Sequence, residues 1–175
     1  MDRETFDRLM LATLPAAQRF AVRLTGSPAA AEDLLHDALV RAASRWRTFR
    51  SAASFKAWFF QIVVNAFRDQ LRRSGRGRKT ETLEDGALTG AATDPAAQVA
   101  GDEISAIVAR HVSALPPRQR EVLVLVAYEK LTPGEAARVL GISESSARAS
   151  LHFARERLRR DLAPYLGDVR RERST

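Results

Sequence analysis

Cysteine is absent from the 175 residues, which removes disulfides, thiol nucleophiles and thiolate metal sites and suits a reducing compartment. Long apolar runs are missing too. None approaches the roughly 18 residues of a membrane span, so no membrane insertion is expected. The opening Met1-Asp2-Arg3-Glu4 carries charge where a secretory signal needs an apolar stretch, so export is not expected and the compartment is read as cytoplasmic. No stretch alternates apolar and polar residues, which argues against strands and for an all-α fold. The three histidines, His36, His111 and His152, are scattered without ligand spacing, so neither a metal nor another cofactor is anticipated. Gly141-Ile142-Ser143-Glu144-Ser145 lacks the second glycine of a nucleophile elbow, and Gly75-Arg76-Gly77 is too short for a phosphate-binding loop. With no convergent catalytic constellation, the chain reads as a non-enzyme.

Basic charge is present. Lysine and arginine outnumber aspartate and glutamate by 28 to 21, a net +7 that favours a polyanionic partner such as nucleic acid. The clearest motif lies between Leu131 and Arg160. Thr132 is placed to N-cap a helix with Pro133 in its first turn, and Glu135, three residues on, completes a capping box. Ala136, Ala137, Val139 and Leu140 supply an apolar face before Gly141 ends the helix in the left-handed conformation and Ser143 caps the next. That second helix buries Ala147, Leu151, Ala154 and Leu158 and turns Ser145, Ser146, Arg148, Ala149, His152, Arg155 and Arg159 outward. The pattern predicts a helix-turn-helix whose outward residues read DNA in the major groove. Arg148, near the helix start, is the candidate for a guanine contact, while Arg155, Arg157, Arg159 and Arg160 suit phosphates. An ordinary helical hairpin with a solvated basic face is the bland alternative.

Upstream, Leu9, Met10, Leu14, Ala17, Phe20, Ala21 and Leu24 keep helical spacing, with a kink or restart expected at Pro15 and an end at Gly26. Ser27-Pro28 opens a second helix running toward Trp46 on Leu34, Leu35, Ala38, Leu39 and Ala42. A third, from about Phe55 to Arg73, has two apolar stripes and should be largely surrounded, leaving only Gln61, Asn65, Arg68, Asp69 and Arg72 as a polar strip. Trp58 keeps the buried spacing with Phe55 and Ile62, so core is favoured over a stacking platform. Residues 74–101 hold almost no large apolar side chain and read as a flexible linker. Helical spacing resumes at Ile104, and Pro116-Pro117 starts a helix containing Val122, Leu123, Leu125 and Val126. Beyond Tyr165 a short basic tail, 166–175, is expected to fray. The expected organisation is two small helical domains, 1–73 and 102–165, joined by the linker.

Laid out in this order, the chain resembles the extracytoplasmic-function (ECF) group of bacterial RNA polymerase sigma factors, of the sigma-70 family, over nearly its full length. Ala31 through Ala42, Ser54-Phe55-Lys56-Ala57-Trp58-Phe59 and Asn65 through Arg73 look like the family's second conserved region. Leu115 through Leu123 followed by Leu131 through Leu158 looks like its fourth. The resemblance implies a protein that binds core RNA polymerase, brings it to promoter DNA and helps open the duplex. It implies that Asp33, Asp37, Val40 and Arg41, spaced to share one exposed face, dock on the polymerase. It implies that Asn65, Arg68 and Arg72, with the loop from Arg45 to Ser54, read the minus-ten element and hold an everted base. The helix-turn-helix then reads the minus-thirty-five element, and an anti-sigma factor is the implied regulatory partner.

Melting without fuel has a physical account in base capture: unstacking costs a few kcal/mol per base, and a pocket that binds the extruded base recovers it. Stacking averages about 1.4 kcal/mol per step, so polymerase contacts must supply the remainder and the free chain should melt nothing. The 28 residues from 74 to 101 can span about 90 Å when extended, at roughly 3.3 Å each. That exceeds the roughly 50 Å between promoter elements one and a half turns apart. Pro133 and Gly134 replace the aromatic and acidic pair common in the family, and Ser150 and Phe153 stand where basic residues are frequent. Each lost phosphate contact should flatten the salt dependence by about one unit of slope. Two rivals remain: a helix-turn-helix regulator that binds an operator alone, and a sigma mimic that titrates an anti-sigma factor.

Overall fold

The structure, a computed structural model, describes residues 2–49, 54–78 and 101–172. The described residues are helical throughout their regular structure and fall into two compact units. The first holds α1 (Arg3–Thr25), α2 (Pro28–Arg45) and α3 (Phe55–Arg78). The second holds α4 (Gly101–Ser113), α5 (Pro117–Leu123), α6 (Pro133–Leu140) and α7 (Glu144–Glu172). Most of the expected linker, including Glu81, Glu84, Asp85 and Asp94, lies outside the described residues, as do residues 50–53 of the loop before α3 and 173–175 of the tail.

Local chemistry sets the helix ends of the first unit. The Asp2 carboxylate accepts the Thr5 N–H at 2.7 Å, which starts α1 and holds that carboxyl below its ordinary range. Gly26, at φ 74°, ends it by returning its N–H to the Val22 carbonyl at 2.8 Å. Ser27 then caps α2, with Pro28 in the first turn where its missing N–H costs nothing.

Of the kink or restart expected at Pro15, the restart does not occur, because α1 runs on through it. The proline removes a hydrogen bond to the Leu11 carbonyl, but both residues are exposed and water can serve that oxygen. Phe6, Met10, Ala17, Phe20 and Leu24 are buried along one side of α1. At about 1.5 to 3 kcal/mol per large buried side chain, they outweigh the roughly 3 kcal/mol an interior proline costs.

Helix α3 is enclosed as its two stripes require. Phe55, Phe59, Phe60, Ile62, Val63, Val64, Ala66 and Phe67 are all buried, and Phe20 of α1 stacks parallel to Phe60 with ring centroids 4.5 Å apart. At one end, the Phe55 ring lies 5.3 Å from Phe49, 5.4 Å from Trp58 and 5.8 Å from Phe6. Trp58 is half-buried in this cluster, packed rather than fully enclosed. The helix continues to Arg78, past the expected end at Arg73, because Gly75 and Gly77 weaken a helix without forbidding its propagation.

In the second unit, α5 stops at Leu123 and a π-helical turn, Val124–Tyr128, replaces the expected continuation. The Glu129 N–H reaches back to the Val124 carbonyl at 3.2 Å and Leu131 to Leu125 at 3.1 Å. Lys130 takes a left-handed φ of 61°, which redirects the chain toward α6. Helix α7 passes through Pro164 and keeps helical backbone to Glu172, where fraying past Tyr165 was expected. Pro164 is exposed, so the bond it cannot make lies where water can serve the partner carbonyl.

Both tryptophans, Trp46 and Trp58, belong to the first unit, so tryptophan fluorescence follows its unfolding alone. In urea, Phe60→Ala should cost this transition about 3 to 5 kcal/mol. Leu11→Ala, on the exposed side of α1, should stay within about 0.5 kcal/mol. Comparable losses from the two would contradict this placement of the core.

Candidate nucleic-acid interface

The helix-turn-helix is built as its residues dictate. Thr132 Oγ1 accepts the Glu135 N–H at 3.2 Å, and Glu135 Oε2 accepts the Thr132 N–H at 2.8 Å, a reciprocal capping box. The Thr132 backbone N–H, and then the Thr132 hydroxyl, which also donates to Glu135 Oε2 at 2.8 Å, hold the Glu135 carboxyl below its ordinary range. Gly141 sits at φ 64°, and Ile142 donates its N–H to the Ala137 carbonyl at 3.0 Å, which closes the turn. Ser143 Oγ accepts the Ser146 N–H at 3.2 Å and opens α7. On α7, Ala147, Leu151 and Ala154 are buried and Leu158 half-buried, so the opposite face must point to solvent.

All seven sequence-predicted readers, Ser145, Ser146, Arg148, Ala149, His152, Arg155 and Arg159, are exposed along α7. Several are already engaged. The Ser145 and Ser146 hydroxyls lie 3.0 and 2.8 Å from Ser143 Oγ. Arg148 pairs with Glu144, and Arg159 with Glu156. Arg157 and Arg160 flank Asp161 at 3.7 and 3.3 Å. Phe153, 59 % exposed where a basic residue is common, borders a cleft of about 340 Å³ with Gln119, Glu156, Arg157 and Arg160.

The first unit carries a second charged surface. Arg41 of α2 donates from Nε and Nη2 to both Asp37 oxygens at 2.9 and 2.8 Å, and from Nη1 to Asp69 of α3 at 2.6 Å. Arg72 pairs with the other Asp69 oxygen, and Arg73 lies 3.7 Å from Asp37. Donating to Asp37 and then to Asp69 raises the Arg41 pKa, while accepting from Arg41 and then from Arg72 lowers that of Asp69.

This network changes the expected polymerase-facing set. Asp33 and Val40 are exposed, but Asp37 and Arg41 are half-buried and turned toward α3, so the four do not share one exposed face. Of the predicted minus-ten residues, Asn65 and Arg72 are exposed and Arg68 is half-buried. The Arg41–Asp69 bond thus joins the two sets. Sequence reading missed Glu144 and the α2–α3 link. The four-residue spacings Asp37–Arg41 and Glu144–Arg148 were a visible signal, whereas Arg41–Asp69 spans two helices and leaves none.

Among the described residues, no group of three histidines or carboxylates is arranged to hold a metal ion, and no helix is long and apolar enough to cross a membrane. Two helical units, one ending in a well-formed helix-turn-helix with a basic outer face, define a DNA-binding protein of the helix-turn-helix class. Comparison with known proteins narrows this. Residues 9–77 match sigma-70 region 2, and residues 105–158 match sigma-70 region 4. The chain is 32% identical over 159 residues to the ECF RNA polymerase sigma factor SigM of Bacillus subtilis, covering 89% of this chain and 93% of that relative. It is 31% identical to the RNA polymerase sigma-E factor of Streptomyces coelicolor, covering 90% and 85%. Its structure is similar to that of the sigma factor RpoE in complex with the anti-sigma factor NepR from Bartonella quintana. That likeness has a TM-score of 0.75 at 26% identity, covering 91% of this chain and 98% of that one. CnrH, solved in complex with the cytosolic domain of CnrY, gives a TM-score of 0.63 at 26% identity, covering 93% and 90%. The chain belongs to the extracytoplasmic-function group of the sigma-70 family, the transcription-initiation factors of bacterial RNA polymerase.

Asp69 generates a pH prediction. Its folded pKa lies below the ordinary 3.8, so its contribution to stability is present above that value and lost as pH falls through the lower folded value. With the side chain about a third exposed, solvent screening holds that contribution to about 1 kcal/mol or less. Asp69→Asn should therefore lower the stability of the first unit at neutral pH by that amount and flatten its acid limb, followed by tryptophan fluorescence. An unchanged acid limb would show that the link between α2 and α3 is not maintained in solution.

Proposed function

We propose that this sigma factor divides its work between the two units. Residues 1–73 carry the polymerase-docking and minus-ten functions, 102–165 carry the minus-thirty-five function, 74–101 tethers them and 166–175 forms a basic tail. Asp33 and Val40 present the exposed part of the polymerase-docking surface on α2, with Asp37 and Arg41 behind them. Asn65, Arg68 and Arg72 on α3 face the minus-ten element, where capture of an extruded base helps open the duplex. On α7, Arg148 reads a base edge near the helix start, flanked by Ser145, Ser146, Ala149 and His152, while Arg155 and Arg159 hold phosphates farther along.

The observation that carries this reading is the outer face of α7, where every expected reader is exposed on a helix whose start is fixed by Gly141 and Ser143. No covalent chemistry belongs to the chain: its work is binding energy spent on positioning and melting. It acts where polymerase acts, in the cytoplasm. An anti-sigma factor is its regulatory partner, a reading supported by the complexes in which RpoE and CnrH were solved.

The test is base preference measured with holoenzyme on a promoter library randomised in the upstream element. Arg148→Ala should relax preference at one position by about 1 to 3 kcal/mol. Arg159→Ala should weaken all sequences alike and lower the salt slope by about one. Equal effects from both would overturn the division into reader and phosphate contact. Sequence-specific duplex binding by the chain alone would favour a free-standing regulator instead.

A further inference from the structure

Glu144 stands at the first position of α7 and makes contact on two sides. Its Oε1 accepts from Arg148 Nε at 3.0 Å and also from Nη2 of the same guanidinium. Its Oε2 lies against Gly134 at the start of α6, so close that a Cβ on residue 134 would sit 3.0 Å from it. A methyl group on residue 134 would crowd the carboxylate by a few tenths of an ångström where it rests against the start of α6 with half its side chain exposed.

The guanidinium has five N–H donors in a fixed fork. Glu144 takes its inner edge, Nε with Nη2, through a single oxygen. The outer edge, both Nη1 hydrogens and the second Nη2 hydrogen, is left over, and this is an edge able to contact guanine O6 and N7 bidentately. An arginine held by its inner edge has lost much of its rotamer freedom before DNA arrives, so less order is imposed on binding. If Arg148 meets a base edge, a carboxylate one turn earlier on the same helix also repels the phosphates of the duplex whatever the sequence.

We propose that Glu144 is a positioning residue that sets the guanine preference of Arg148 by bracing its guanidinium, and that Gly134 makes room for the brace. The inference rests on Arg148 being a base reader. It assigns Glu144 a trade in which some affinity for every sequence is given up and discrimination among sequences is gained. Removing the charge should move these two quantities in different directions, which generic electrostatics cannot do.

The experiment measures holoenzyme, full chain plus core polymerase, on promoters carrying each base in turn at every upstream-element position, and on unrelated duplex DNA. Glu144→Gln keeps the side chain's shape and should lower the ratio of guanine to other bases at the Arg148 position by about two- to fivefold, the range an exposed ion pair can contribute. Its affinity for unrelated DNA should hold or rise. Gly134→Ala, which pushes the carboxylate aside without removing its charge, should lower the same ratio by a smaller factor. A ratio retained in both variants overturns the brace, as does a Glu144→Gln gain shared equally by all sequences, the mark of a carboxylate that only repels phosphate. Arg148→Ala in parallel separates the two levels. If it relaxes the preference while the other variants do not, only the brace falls; if it leaves the preference intact, the reader assignment falls with it.

Discussion

Alanine buried at helix contacts is the constraint on which both units depend. Ala17 and Ala21 of α1, Ala31, Ala38 and Ala42 of α2 and Ala66 of α3 are essentially without exposure, and so are Ala136, Ala137, Ala147 and Ala154 of α6 and α7. A methyl group lets two helices approach closely, and close approach leaves no space for a larger side chain. Each helix therefore has one seat. When Ala147, Leu151 and Ala154 occupy that seat on α7, the 3.6-residue period leaves Arg148, His152, Arg155 and Arg159 outside. The surface proposed to face DNA follows from packing on the opposite side of the same helix.

Charge pairing then governs what that surface can do alone. Arg72, Arg148 and Arg159, each assigned to DNA, all carry a carboxylate partner within four residues. Exposed pairs of this kind are worth about 0.2 to 1 kcal/mol, whereas a bidentate base contact is worth about 1 to 3. Where the pair must be given up for a DNA contact, as at Arg72 and Arg159, the exchange is favourable only by a narrow margin, whereas at Arg148 the proposed brace is kept and the outer edge makes the contact. The net charge of +7 is thus a poor measure of the free cationic surface, and a protein whose arginines are discounted in this way gains from a polymerase that adds contacts of its own. The Arg41–Asp69 bond extends this economy into the first unit, where one ion-pair network ties the helix assigned to polymerase to the helix assigned to the minus-ten element.

Much of this was legible beforehand because local chemistry wrote it. The Thr132 capping box, the left-handed Gly141, the Ser27-Pro28 start and the enclosure of α3 each follow from residues within a few positions of one another. Where the sequence misled, a nonlocal term decided. Pro15 reads as a kink or a restart, yet buried neighbours on both sides carry α1 through it without a restart. The π-helical turn at Val124–Tyr128 has no local signature, since its residues would equally suit a continued α-helix. Asp37 and Arg41 share a helix face with Asp33, but their direction is set by Asp69, 28 residues beyond Arg41. On α7, whether an arginine is exposed could be read from periodicity. What holds its guanidinium could not.

The central claim is that this chain confers promoter specificity on core RNA polymerase. Run-off transcription from a promoter library, with purified core enzyme and the full chain, tests it most directly. The account predicts defined start sites that appear only when both components are present, downstream of a shared pair of sequence elements. Core enzyme that binds the chain yet initiates nowhere new, or no binding at all, would contradict it.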